Sequence, residues 1–196
     1  MQVDYLDHLP DPFITDAFDL YLDAFEDKLN PILGNSGRSR DVFLKNLDAT
    51  RCLAAVGGQR LVGILALQDN NGSFMNPTLK TMIKSYGIPG GVFRMFGLIW
   101  LNHPTAPGEL YVDGVAVVDD MRGNGIGSHL LKMLERIASR KGIRTISLEV
   151  INTNLRAETL YRRLGFEVAK QRTVKPLNWF FNFPFQSFSL MVKRIN

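Results

Sequence analysis

Residues 121–127, MRGNGIG, place three alternating glycines between two runs of different period. The run before them, GELYVDGVAVVD (108–119), reads as a strand. The run after them, IGSHLLKMLERIASRKG (126–142), sets Ile126, Leu130, Leu131, Leu134, Ile137 and Ala138 on one helical face, with Gly142 as its natural stop. A strand that turns into a helix through glycines lines one loop with successive backbone N–H groups. The helix adds its unpaired first-turn amides and the positive end of its dipole. Such a junction suits an anion, and glycine lets a phosphate come close because no Cβ intervenes.

Three phosphate sites compete for this loop. A P-loop needs Gly-Lys-[Ser/Thr] at its end, whereas Gly127 is followed by Ser128, so that reading fails. A dinucleotide fold needs G-x-G-x-x-G at a strand end, and here the order is G-x-G-x-G. Glu149 lies at the distance of a ribose contact, but the glycines come after more than half the chain and no second mononucleotide half follows. The third site is a pyrophosphate cradle formed by Arg122 and Gly123–Gly127.

The rest of the chain supplies the frame. ITDAFDLYLDAFEDKL (14–29) spaces Ala17, Phe18, Tyr21, Leu22 and Phe25 as a helix, capped by Thr15 or Asp16, and SRDVFLKNLDAT (39–50) fits a second. RCLAAVGGQRLVGILALQD (51–69) reads as a hairpin turning at Gly57-Gly58. Residues 70–107 are broken by Pro77, Pro89, Pro104 and Pro107 and fit two short helices near 77–86 and 91–102, an insertion after which the sheet pattern resumes. RTISLEV (144–150) is a strand, NLRAETLYRRLGF (154–166) a helix ended by Gly165, and two strands follow, the last in an aromatic tail from Trp179 to Ile195. The order predicts a mixed α/β sheet in a single domain, residues 1–196.

Composition excludes several classes. One cysteine, Cys52, allows no internal disulfide and no CxxC metal site, and it reads as a core residue on a strand. The start, MQVDYLDHLPD, is acidic and lacks the apolar run of a secretory signal. GVFRMFGLIWL (91–101) is too short to span a bilayer and carries Arg94. A cytoplasmic protein with no membrane and no nucleic-acid partner is expected. The net charge of +4 is unevenly spread: no acidic residue lies between Asp69 and Glu109, or after Glu167.

Two motifs coincide downstream. RGNGIG matches [Gln/Arg]-x-x-Gly-x-[Gly/Ala], and Leu148, Glu149, Val150, Asn154, Ala157, Leu160, Tyr161, Leu164, Gly165 and Phe166 match Leu-Glu-Val followed by Asn-x-x-Ala-x-x-Leu-Tyr-x-x-Leu-Gly-Phe. In both, the chain resembles the GNAT family of N-acetyltransferases, closely over about 109–170 and in pattern alone before that. The insertion at 70–107 has no counterpart in that family's core.

The resemblance implies a mixed, mostly antiparallel twisted sheet flanked by helices, with a splayed parallel strand pair at the coenzyme A site. It implies acetyl transfer from acetyl-CoA to a primary amine of a small molecule or peptide, by direct attack in a ternary complex and without a metal. A non-catalytic acetyl-CoA-binding regulatory module is the alternative. By resemblance, Val115 and Val117 lie in a bulged strand whose backbone pairs with the pantetheine arm, and Val117 N–H polarises the thioester carbonyl. Arg122, Gly123, Asn124, Gly125, Ile126, Gly127 and Ser128 hold the pyrophosphate, and Asn154 reaches the arm. Tyr161 is the candidate acid that protonates the departing thiolate. Glu109 and Asp113, which share a strand face with Tyr111, are the candidate bases. His103 reads as a surface residue and His129 as structural. The insertion and tail are expected on the acceptor side, where their basic character suits an anion. A homodimer contact through Phe93, Phe96, Trp100, Trp179, Phe180, Phe181 and Phe183 is the other expectation for them.

Overall fold

The computed structural model describes residues 2–34 and 38–195, so both ends of the expected 1–196 domain lie outside the described residues. The strands are β1 (Val3–Leu6), β2 (Cys52–Gly57), β3 (Arg60–Asp69), β4 (Gly72–Ser73), β5 (Glu109–Val117), β6 (Thr145–Ile151), β7 (Glu167–Thr173) and β8 (Ser187–Arg194). The helices are α1 (Ile14–Ala24), α2 (Glu26–Leu33), α3 (Arg38–Phe43), α4 (Leu79–Leu101), α5 (Ile126–Arg140) and α6 (Leu155–Arg163). The strands form one sheet in the order β1-β2-β3-β5-β6-β8-β7, with β4 beside β3. Among the described residues only β5 and β6 run parallel. The fold is the mixed, mostly antiparallel sheet expected from the sequence.

Period-2 alternation makes two cores from one sheet. Cys52, Ala54, Ile64 and Ala66 face α1–α4 and the aromatic tail, while Leu53, Ala55, Val62 and Leu65 face α5 and α6. Both faces of β2 and β3 are therefore apolar, as a strand covered by helices on each side requires. Cys52 is fully buried in β2, and burial pushes its thiol up to about 12. The apolar face of α5 buries Ile126, Leu130, Leu131, Leu134 and Ala138, each large side chain worth roughly 1.5–3 kcal/mol before entropy. Gly142 donates to Ser139 and Ile143 to Ala138, which closes α5 as expected, and Gly165 and Phe166 close α6 in the same way.

Several boundaries differ from the sequence reading. β1 pairs with β2 and was not foreseen, because four residues carry too little periodicity. The first helix starts at Ile14 with no side-chain cap, after the turn Asp11–Phe13, and a break at Phe25 divides it. The hairpin turns on Gly58 and Gln59, with Gly57 still paired to Arg60. The two short helices expected near 77–86 and 91–102 are the two halves of α4, separated where Gly87 takes a non-helical φ of 73°. The last strand, whose place the sequence reading left open, lies between β6 and β7.

Candidate active site

β5 and β6 pair only from Glu109–Thr145 to Val112–Leu148. Beyond that point β5 stays with β3 and β6 stays with β8. The cause is a bulge. Ala66 pairs with Gly114 and Leu67 with Val112, so Asp113 is the extra residue. The resemblance placed the bulge within Val115–Val117; it lies two residues earlier. Because of it, Asp113 and Gly114 both meet α1 and the turn after it. Tyr21 donates its hydroxyl to Asp113 Oδ2 at 2.8 Å, and a Cβ on Gly114 would stand 2.3 Å from Phe25 Cζ. Glycine is required there by the aromatic ring.

Where the strands part there is a cavity of about 350 Å³. Val112–Val115 and Leu148–Ile151 form its walls, Asn154, Ala157 and Tyr161 close one side from α6, and Phe25, Asp27, Lys28 and Phe188 line the other. Val118 donates to Val62 of β3. Strand alternation therefore turns the backbone groups of Val115 and Val117 toward the edge that β6 has left. The sheet leaves their N–H groups and the Val115 carbonyl unpaired, while the Val117 carbonyl accepts from Arg122 Nε; such an edge suits an extended, amide-bearing ligand.

The glycine loop adjoins this edge. Gly123 and Gly125 take φ 87° and 80°. Gly125 caps α5 with no side chain, which leaves the first-turn amides of Ile126, Gly127 and Ser128 to a ligand. Gly127 stands against Val115, and its Cβ position is 3.5 Å from that side chain. Asn124 bonds Met121 O, which ties the loop to itself. Arg122 is committed: its Nε donates to Val117 O at 3.1 Å and its Nη2 pairs with Asp119 at 2.7 Å. A cation that the sequence reading passed over, Arg156, approaches the loop instead, with Nη2 3.9 Å from the Cβ position of Gly123. The signal was its place between Asn154 and Ala157 in the second motif.

Tyr161 lies buried in the cavity wall, edge-on to Phe166. Burial pushes its phenol up to about 12, so it keeps its proton at neutral pH. Asn154 caps α6, accepting from Ala157 N–H at 3.1 Å, and borders the same cavity.

The acidic residues separate into two places. Asp113 borders the cavity; Glu109 does not. Glu109 sits at the opposite end of β5, where its carboxylate accepts from the Ala106 amide, the Ser147 hydroxyl and, at 3.2 Å, His103 Nε2. Burial opposes its charge, but these donors outweigh it and hold the carboxyl below its usual range. His103 is no surface residue: it stacks on Tyr111 at 4.7 Å with its side chain 15% exposed. His129 stacks on Tyr5 of β1 at 3.8 Å, a structural contact.

One cavity residue was missed. Glu149 has a 6% exposed side chain, with Oε1 3.5 Å from Arg172 Nη2. Its Oε2 is buried without a hydrogen-bond partner among the described residues. The sequence showed it as the middle of Leu-Glu-Val and as a ribose contact in the dinucleotide reading, never as a cavity carboxylate. Nothing there told that β6 would leave β5 one residue earlier and open the strand edge beside it. The cavity lining thus carries Asp27, Asp113 and Glu149 against Lys28, which favours a cation over the anion expected from the basic segments. Among the described residues no group of three or more His, Cys, Asp or Glu is arranged to hold a metal ion.

The splayed pair, the glycine loop and the buried tyrosine meet in one place. The model of the acetyltransferase (GNAT) family matches residues 14–166. The chain belongs to the GNAT family. Thialysine N-epsilon-acetyltransferase of Bos taurus is 35% identical over 71 residues, covering 36% of this chain and 42% of that one. With the Sus scrofa enzyme of the same name the match covers 55% of the relative, so the chain spans about half the length of the curated relatives it matches. The fold is shared more widely. An N-acetyltransferase from Staphylococcus aureus Mu50 superposes with a TM-score of 0.64 at 13% identity, with 100% of each chain covered. A Bacillus subtilis acetyltransferase solved in complex with CoA gives 0.57 at 16% identity, covering 100% of this chain and 99% of that one.

Proposed function

We propose that this GNAT protein transfers an acetyl group from acetyl-CoA to a primary amine on a small molecule or peptide. One observation carries the reading: the cavity at the strand separation holds a protonated phenol, Tyr161, and two carboxylates, Asp113 and Glu149. Acetyl-CoA would supply the activated thioester. The residues fit that group, since an open strand edge meets a glycine loop with free helix amides. Gly123–Ser128 would hold the pyrophosphate with backbone N–H groups, with Arg156 supplying the charge that Arg122 spends on Asp119. Val115 and Val117 would pair with the amides of the pantetheine arm, and Asn154 would hold it from α6. Val117 N–H would polarise the thioester carbonyl.

The proton inventory follows from the cavity. An alkylammonium must lose a proton before its nitrogen can attack. Asp113, fixed by Tyr21, would draw the ammonium in. Glu149, with a free Oε2, would accept its proton. Tyr161 would give a proton to the thiolate that direct attack in a ternary complex expels, and the second proton of the attacking nitrogen, lost as the amide forms, would restore the phenol. Glu109 would serve the strand end rather than the chemistry.

The test has two stages. Acetyl-CoA should raise the melting temperature, because a ligand of the native state stabilises it. A screen of amines and peptides with free-thiol detection should then find turnover that falls in Tyr161→Phe. No stabilisation by acetyl-CoA would sink the proposal. Stabilisation with no turnover on any amine would leave the non-catalytic module in its place.

A further inference from the structure

The second half of α4 is built inside out. Its inward positions include Gly91, Gly97 and Leu101. A Cβ on Gly97 would stand 2.8 Å from the Phe181 ring, and one on Gly91 2.7 Å from the backbone of Ile83. The helix therefore lies flush on the chain beneath it. Its outward positions are large and apolar. Ile88, Val92, Phe96 and Ile99 recur at helical spacing and are 68%, 49%, 54% and 63% exposed. An ordinary surface helix does the reverse. The tail extends the patch: Trp179 is 89% exposed, and the exposed Phe180 ring meets Phe93 at 6.2 Å. Scattered exposed apolar residues are normal, but a continuous run of large ones marks an interaction face.

The charge carried by the two segments that build this face has one sign. Both segments that build it lack acidic residues, from Asn70 to Gly108 and from Val168 onward. Lys80 and Lys84 are exposed on the first half of α4, and Lys175 is exposed just before Trp179. Two copies meeting through the face would oppose these cations to one another, so the same residues resist a homodimer. An anionic lipid surface satisfies both properties. Trp and Phe settle at the headgroup boundary, and lysines pair with lipid phosphates. Among the described residues no helix is long and apolar enough to cross a membrane, and α4 is kinked at Gly87.

We propose that the outward face of α4, with Trp179 and Phe180, docks on an anionic membrane surface, the helix lying in the interface plane. The expectation of no membrane contact rested on the lack of a spanning run, whereas lying on a membrane needs only one apolar face. The proposal does not depend on acetyl transfer.

The test is sedimentation of the full chain with vesicles of phosphatidylcholine alone, or with phosphatidylglycerol added, at low and high salt. Binding is expected to the anionic vesicles, weakened by salt. It should be weaker by about tenfold or more in a Phe96→Ser, Ile99→Ser variant, which loses the inserted apolar area. Both positions are exposed, so an unchanged melting temperature is expected for this variant. In Trp100→Phe, Trp179 is the one remaining tryptophan, and its emission should shift to the blue on binding. No sedimentation with anionic vesicles at low salt overturns the proposal. So does equal binding to both vesicle types, or an unshifted Trp179. Concentration-dependent dimerisation, abolished by the serine variant and without vesicle binding, overturns it in favour of a second copy.

Discussion

Tyr21 Oη donates to Asp113 Oδ2 over 2.8 Å, joining α1 to the bulge that parts β5 from β6. Burial and the neighbouring carboxylate hold the Tyr21 phenol well above its ordinary value, so it remains a donor at neutral pH. The separation of the strands is thus tied to the helix above it. Tyr21→Phe removes the oxygen without opening a cavity. Hydrogen bonds to charged groups contribute about 1.5–3 kcal/mol, so urea denaturation should show a loss of that size. Stability equal to the parent would mean that the pair is not joined in solution.

Tyr161→Phe should lower kcat by about 100-fold or more, the usual worth of a placed acid, with little change in the KM for acetyl-CoA. The phenol is active while protonated. With burial pushing it up to about 12, it should impose no fall in kcat between neutral pH and about pH 10. A phenol-dependent decline within that range in the parent, absent from the variant, would contradict the assignment.

Glu149→Gln and Glu109→Gln should separate by their readouts. The first keeps its shape in the cavity, and kcat should fall by about 100-fold, with a lower melting temperature because Arg172 loses its partner. The second leaves turnover within a few-fold of the parent but weakens the strand end. If turnover falls equally in both, the assignment of the two carboxylates is wrong.

Glu109 also sets a pH dependence. Its folded-state carboxyl is held below the unfolded value of about 4.3. Its stabilising effect is therefore present above that value and lost as pH falls through the folded-state one. The difference in stability between the parent and Glu109→Gln should be full at pH 7, about 1–3 kcal/mol, and should close below about pH 4. Thermal melts of both proteins across that range would show it.

Gly125→Ala forces a side chain into the left-handed region, at φ 80°. That costs roughly 1–2 kcal/mol, and relaxing it would disturb the loop amides. The KM for acetyl-CoA should rise by about tenfold while the amine KM stays put. Isothermal titration with coenzyme A provides the same check without turnover.

The family and the glycine loop were legible in the chain because they depend on local rules. Gly123 and Gly125 are needed for positive φ, Gly142 and Gly165 for helix ends, and the spacing of Ile126, Leu130 and Leu134 for one buried face. Each is settled within a few residues of itself, so the spacing shows it. The hairpin of β2 and β3 was legible for the same reason, while β1 was not, since its pairing partner lies about fifty residues away.

The chemistry of the cavity was decided elsewhere. Strand alternation put Glu109, Tyr111 and Asp113 on one face, yet it could not say which of them would reach the opening. The bulge at Asp113 and the loss of pairing after Val112 decided that, and they also brought Glu149 to the open edge. Arg122 was diverted to Asp119 and Val117, and Arg156 came near the loop from another helix. The outward face of α4 needed the tertiary structure most. Its sequence shows glycines among large apolar residues, and only packing against Phe181 and Ile83 turned the small ones inward. Local conformation and the shape of the glycine loop follow from the chain, because torsions and periodicity act over a few residues. Which groups share a cavity or face the solvent follows from strand pairing and helix packing, because those contacts join residues far apart in sequence.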